Sequence, residues 1–154
     1  MAGHAFEAAA CLDSIGGHLT AAERALVGEV ARDLPALATD LPLVYLHGDF
    51  SPRNWVWSSE KQTLGLIDFE MAEHALAVQD MVWLFGAVWP TRPDLRDAFV
   101  TGYGRQPAAE EYRALLLITS RLAVSYLSAG LANNEQVLID RGRNALGNLA
   151  RAHA

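Results

Sequence analysis

Cysteine and lysine are nearly absent from this chain of 154 residues. Cys11 stands alone, which excludes an internal disulfide and a cysteine-based zinc cluster, and its Ala-rich setting reads as a small buried hydrophobe. Lys61 is the only lysine among 12 basic side chains, the others being arginine. Charged residues make up 19% of the chain and leave a net charge of −6. That sign argues against a general nucleic-acid surface and is compatible with a cationic substrate. No basic start followed by an apolar stretch marks a signal peptide, and no segment reads as long and uncharged enough to span a bilayer. A cytoplasmic location without membrane partners is therefore expected. Internal repeats, low-complexity tracts and flexible linkers are missing too. Residues 1–154 read as one domain, large enough to bury a real core.

What is present is concentrated in one stretch. His47-Gly48-Asp49-Phe50-Ser51-Pro52-Arg53-Asn54 is followed by Leu64-Gly65-Leu66-Ile67-Asp68-Phe69-Glu70. An aspartate is thus followed five residues later by an asparagine, and fourteen beyond that by a second aspartate. Moving a phosphoryl group from a nucleotide needs one carboxylate to orient and deprotonate the accepting hydroxyl. It also needs an amide oxygen and another carboxylate to hold Mg²⁺. Mg²⁺ prefers hard oxygen ligands, keeps several waters and takes few protein groups, so Asn54 and Asp68 form a suitable set. Asp49 by itself, ahead of a Pro-containing turn, is ordinary turn chemistry. The constellation carries the reading.

Trp55-Val56-Trp57 and Leu64-Gly65-Leu66-Ile67 read as short strands joined by the polar segment 59–63. A five-residue loop sets Val56 opposite Leu66 and Asn54 opposite Asp68, on one face of the hairpin. A four-residue loop slips the register by one and sends the two ligands to opposite faces. The metal reading therefore favours the longer loop.

These residues resemble the aminoglycoside phosphotransferase and choline kinase-like family, relatives of the protein kinases. The family's catalytic loop reads His-Gly-Asp-x-x-x-x-Asn and its metal motif Ile-Asp-[Phe/Trp]-[Glu/Asp]. Carried over by position, the resemblance implies Asp49 as the base and Asn54 and Asp68 as Mg²⁺ ligands. It also implies Ser51 as a contact to a phosphate oxygen and His47 as a support of the loop. Asp80 is similar to the family's aspartate that braces this loop through backbone hydrogen bonds, a role compatible with capping its own helix. A histidine at position 47 is also a rival general base, although Asp49 fills that role more naturally. Gly48 replaces the arginine of protein kinases and Glu70 the glycine of their Asp-Phe-Gly, which points to small-molecule kinases. The resemblance is close over about residues 43–85. It implies ATP or GTP as donor and a small-molecule hydroxyl acceptor, with aminoglycosides, choline, homoserine and sugars all open.

Kinases of this architecture set a strand lysine, oriented by a helix glutamate, against the nucleotide phosphates and cover them with a loop. Lys61 lies instead in the hairpin loop, and Gly102-Tyr103-Gly104 falls after the motif, where it reads as a helix end. The forty-six residues before His47 look helical. The expected fold is a mainly α kinase-like C-terminal lobe with a small β-hairpin, lacking the β-rich N-terminal lobe. Its catalytic loop is 47–54, its metal motif 67–70 and its helical remainder 78–152. The expected function is that lobe's part in a phosphotransferase, with an N-terminal lobe in trans or self-association as its partner. A non-catalytic binding or scaffold module, or a truncated fragment, is the alternative.

Around the motif the helices follow from local signals. A helix over 4–16 stops at Gly16-Gly17. The capping box Thr20 to Glu23 opens another to about Leu34, before Pro35. Leu41–Leu46 reads as extended, and a loop runs through His74. Helices follow at 78–89, from Thr91 to Gly102 with Pro93 early, and from Pro107 to Ala129 before Gly130. Asn133 caps the last one. Trp55, Trp57, Trp83 and Trp89 read as packing residues. Arg53 reads equally as a phosphate contact or as the ion-pair partner of a nearby carboxylate. Glu110, Glu111 and Asp140 read either as the lining of an acidic acceptor pocket or, more commonly for such residues, as exposed helix faces, and Glu70 with His74 as a solvated turn and not a zinc pair.

Overall fold

Thr20 and Glu23 show how local chemistry starts a helix here. Thr20 Oγ1 accepts the Glu23 amide at 3.2 Å, and Glu23 Oε2 accepts the Thr20 amide at 2.8 Å. In the computed structural model, which describes residues 2–37, 39 and 41–153, this box opens α2 (Ala21–Leu37). It follows α1 (Ala2–Ile15) and a 3-10 turn at Gly16–His18. The second helix runs on through Pro35, because Leu34 is fully buried and Leu37 packs on the core beside it. Cys11 is only partly buried, at the edge of the same core.

Helices α3 (Pro93–Tyr103), α4 (Ala109–Asn133) and α5 (Gln136–His153) complete the helical part. The spine is α4, which packs on α1, α2 and α5. Leu115, Leu117, Val124 and Leu127 of α4 are fully buried, as are Leu26, Val27 and Val30 of α2 and Leu146 of α5. Contrary to the expectation from composition, α4 is long and apolar enough to cross a bilayer. Its most apolar window is 61% buried inside this fold, so core packing accounts for its composition. Gly130 does not stop α4. A Cβ there would sit 2.7 Å from the Ile139 amide nitrogen, so glycine at this place lets α5 start close against α4. The helix ends where Asn134 turns left-handed at φ 56°, which makes Asn133 part of α4 and not the cap of α5.

Among the described residues four short strands form two antiparallel pairs. Strand β1 (Leu43–Leu46) pairs with β4 (Glu73–Leu76), and β2 (Trp55–Ser58) pairs with β3 (Thr63–Leu66). The β1–β4 pair replaces the expected loop through His74. Nothing in Glu73-His74-Ala75-Leu76 favours a strand locally, and the pairing is made by a partner thirty residues away. In the β2–β3 hairpin Trp55 lies opposite Leu66 and Ser58 opposite Thr63. The loop is therefore four residues long, not five, and it closes through Gln62 in the left-handed region at φ 51°. The helix expected over 78–89 is a 3-10 segment (Ala77–Met81) followed by a π turn (Leu84–Val88).

Among the described residues no strand precedes β1. The two strand pairs leave an exposed apolar band that includes Leu43, Tyr45, Val56, Trp57, Ile67 and Phe69. Trp57, expected to pack, is 58% exposed within this band. Trp55 does pack, edge-on against Trp83 with ring centres 6.0 Å apart.

Candidate active site

Strand β1 ends at Leu46 and delivers the loop that follows. His47 is buried, and its amide and that of Gly48 donate to the two carboxylate oxygens of Asp80 at 2.8 and 2.9 Å. One charged group thereby satisfies two loop amides, a stronger arrangement than neutral partners provide. The His47 ring is also committed. Its Nδ1 accepts the Asp49 amide at 3.3 Å, which places the ring proton on Nε2, 2.8 Å from the Ile67 carbonyl oxygen. Phe69 packs on the ring at 4.5 Å. With both nitrogens engaged, His47 presents none to an incoming hydroxyl.

Gly48 is dictated by space as well as conformation. Its φ is 82°, and a Cβ would come within 2.0 Å of the Met71 carbonyl oxygen. An arginine has no room here. Gly48→Ala should lower stability by about 1–3 kcal/mol, the scale of a strained backbone position. Urea denaturation checks this, and a loss of only a few tenths would mean that the loop moves away from Met71 without cost.

Asp49 is held by one oxygen only. Its Oδ2 accepts Arg53 Nε at 3.1 Å, Arg53 Nη2 at 2.5 Å and Asn54 Nδ2 at 2.9 Å. Among the described residues no group bonds Oδ1. The hydrogen bond from Arg53 is the main cause that holds the Asp49 carboxyl below its ordinary pKa, assisted by that from Asn54. Asn54 is buried, and its Nδ2 donates as well to the Asp49 carbonyl at 2.9 Å. With the amide nitrogen spent on Asp49, the Asn54 amide oxygen has no hydrogen-bond partner among the described residues.

The hairpin continues one step past β2 and β3, since the Ile67 amide donates to the Asn54 carbonyl at 3.1 Å. Asn54 therefore opposes Ile67, and the expected direct pairing with Asp68 does not occur. The face rule also stops applying at this point. Asp68 turns left-handed at φ 64°, leaving the strand, and Asn54 closes a 3-10 turn (Pro52–Asn54). Aspartate tolerates that backbone better than most residues, at about 1–2 kcal/mol. The Asp68 carboxylate is exposed and lies within electrostatic reach of Arg53.

Residues 5–116 match the sequence model of the phosphotransferase enzyme family. The chain belongs to that family. The fold of this chain is similar to the solved structure of the GDP complex of wild-type aminoglycoside 2'-phosphotransferase-IIIa, with a TM-score of 0.72 at 22% identity. That likeness covers 97% of this chain and 51% of the other, so the chain spans about half the length of its structural relative. No curated protein matches it.

Within this family member the remaining candidates separate clearly. Ser51 Oγ is buried without a partner, so a bond to a phosphate oxygen requires its side chain to rotate outward. Arg53 forms the ion pair, one of its two expected readings. Glu111 is not on an exposed face but buried, bound to Arg105 and to the Ala108 amide at the start of α4. Glu70 and His74 share no helix, and His74 stacks edge-on against Tyr45. Among the described residues no three His, Cys, Asp or Glu side chains form a cluster. The candidate donors at the loop are oxygens of Asp49, of the buried Asn54 and of the exposed Asp68, a hard set that suits Mg²⁺ and not a thiolate- or imidazole-loving metal. Two parts of the site had no sequence signal. The carbonyls of Ile67 and Met71, which receive His47 and exclude a side chain at position 48, are backbone atoms that any residue supplies.

Proposed function

We propose that this lobe transfers the γ-phosphoryl group of ATP or GTP to a hydroxyl of a small molecule. The observation that carries the reading is the asymmetry at Asp49. Arg53 and Asn54 anchor Oδ2, while Oδ1 has no partner among the described residues and would accept the proton of an acceptor hydroxyl. Asn54 and Asp68 would hold Mg²⁺ through oxygen. That ion, when bound, offsets charge on the nucleotide phosphates. His47 and Asp80 keep the loop in place, and Ser51 is in position for a phosphate contact once rotated. A nucleotide donor is also consistent with the GDP bound by the structural relative.

The exposed apolar band beside the loop is the expected docking face for a β-rich N-terminal lobe, supplied by another chain or by further sequence, or for a second copy. The metal assignment has a direct test. Calorimetry should show weak Mg²⁺ or Mn²⁺ binding that Asp68→Ala removes, weak because phosphate oxygens ordinarily complete the shell. Asp68→Asn keeps a residue that tolerates the left-handed backbone and should also lose most of the affinity. Equal affinity in the wild type and both variants would remove Asp68 from the metal site.

A further inference from the structure

A hollow of about 550 Å³ opens between the Leu84–Val88 turn, α4 and α5, well within the size of small-molecule sites. No residue of the catalytic loop lines it, but two of its side chains link it to that loop. Trp83 on its wall packs edge-on against Trp55, the residue after Asn54, and Tyr126 on its other wall lies within electrostatic reach of Arg53. The lining is one-sided in charge. Trp83, Leu122 and Tyr126 supply aromatic and apolar walls, and Arg141, Asn144 and Asn148 line it from α5. No carboxylate lines it among the described residues.

Arg141 is also placed unlike most of the chain's arginines. Arg53, Arg105, Arg113 and Arg121 each pair with a carboxylate. The Arg141 guanidinium lies instead over the Tyr126 ring, 5.2 Å from its centre, with no acidic side chain in salt-bridge range among the described residues. Stacking on an aromatic face orients the planar fork while its donors remain available. A polycation entering here would meet a like charge and find no counter-charge after losing its water. An acidic group would find a fork that matches a carboxylate or phosphate, with amides beside it.

We propose that this hollow is the acceptor pocket, and that the acceptor is a hydroxylated molecule bearing a carboxylate or phosphate, not a polycation of the aminoglycoside kind. The acidic group binds Arg141, the body of the molecule lies against Trp83 and Tyr126, and the hydroxyl points toward Asp49. This assignment rests on the phosphotransferase reading above. The overall charge of −6 does not oppose it, because at physiological salt charges more than about 8 Å away are largely screened and the pocket wall decides.

The test is binding to the 154-residue chain without nucleotide or metal, followed through the Trp83 indole resonance. Gluconate and phenyllactate probe the carboxylate, glycerol 3-phosphate the phosphate, glucose the neutral case, and choline and kanamycin the cations. The acids should bind, and Arg141→Ala should weaken them about tenfold or more, the scale of a lost charge-assisted hydrogen bond. Arg141→Glu should abolish acid binding and admit choline. Arg141 is exposed, so both variants should retain the wild-type melting temperature. Tighter binding of kanamycin or choline by the wild type, acid binding unchanged in Arg141→Ala, or no binding of any probe would each overturn the proposal. Failure of the Asp68 metal test would leave this result untouched, so the two readings fail separately.

Discussion

Asp49→Asn should lower kcat by about 10²–10⁴-fold, with little change in nucleotide affinity, in a version of the protein carrying a matching N-terminal lobe. Asparagine at this position keeps the shape of the side chain but has no carboxylate to take a proton. The pH profile should carry the mark of Arg53. Its hydrogen bond holds Asp49 below the ordinary carboxylate pKa, so the base is ionised above that lowered value and lost as pH falls through it. The acid limb of kcat/KM should accordingly lie lower than for an unpaired aspartate, and Arg53→Ala should move it upward. Near-normal turnover in Asp49→Asn would mean that another group takes the proton. His47 is poorly placed for that, with both ring nitrogens bonded. A large loss of nucleotide affinity would instead move Asp49 into the metal site.

Residues 1–154 by themselves should bind ATP or GTP at millimolar strength at best and transfer phosphate negligibly. Catalysis of this kind depends on positioning and on charge stabilisation in a closed site. Lys61, the only lysine, sits on the exposed hairpin turn, where its amide bonds Ser58 Oγ. It is not on a strand facing the loop. Without a cover, charges at the site act across water and are screened far more than in a cleft. The apolar band from Leu43 to Met71 should also drive self-association, visible by light scattering. Micromolar nucleotide affinity with sustained turnover would sink this expectation. It would require a different phosphate clamp, and Arg53 would be the first residue to mutate.

How much of this was legible beforehand depends on distance along the chain. The box at Thr20 and Glu23 closes over three residues, and Pro93 occupies the first turn of α3, so both could be read directly. The hairpin register could not. A one-residue difference in loop length rests on whether Gln62 adopts a left-handed backbone, which its side chain does not announce. The correction matters less than the pleat alone suggests, because Asp68 leaves the strand before alternation can separate it from Asn54. Gly130 misled for a related reason. Its role is set by Ile139 on the next helix, whereas read locally it resembles a helix stop. Strand β4 was missed because its partner β1 is remote and its own propensity is low.

By itself the sequence determined which chemical groups this chain has and in what order: an Asp, an Asn and an Asp at kinase-like spacing, a glycine beside the first Asp, and almost no lysine. Those are properties of residue type and local spacing, and they were enough to indicate the family and the helical lobe. Only the tertiary structure decided which atoms those groups turn outward. It brought Asp80 from thirty-three residues away onto two loop amides and tied His47 to a backbone carbonyl. Among the described residues it also left one oxygen of Asp49 without a partner and set Arg141 over Tyr126 without a counter-charge. Hydrogen bonds and ion pairs between distant segments form only when packing brings the partners within about 3 Å, and spacing along the chain carries no record of that distance.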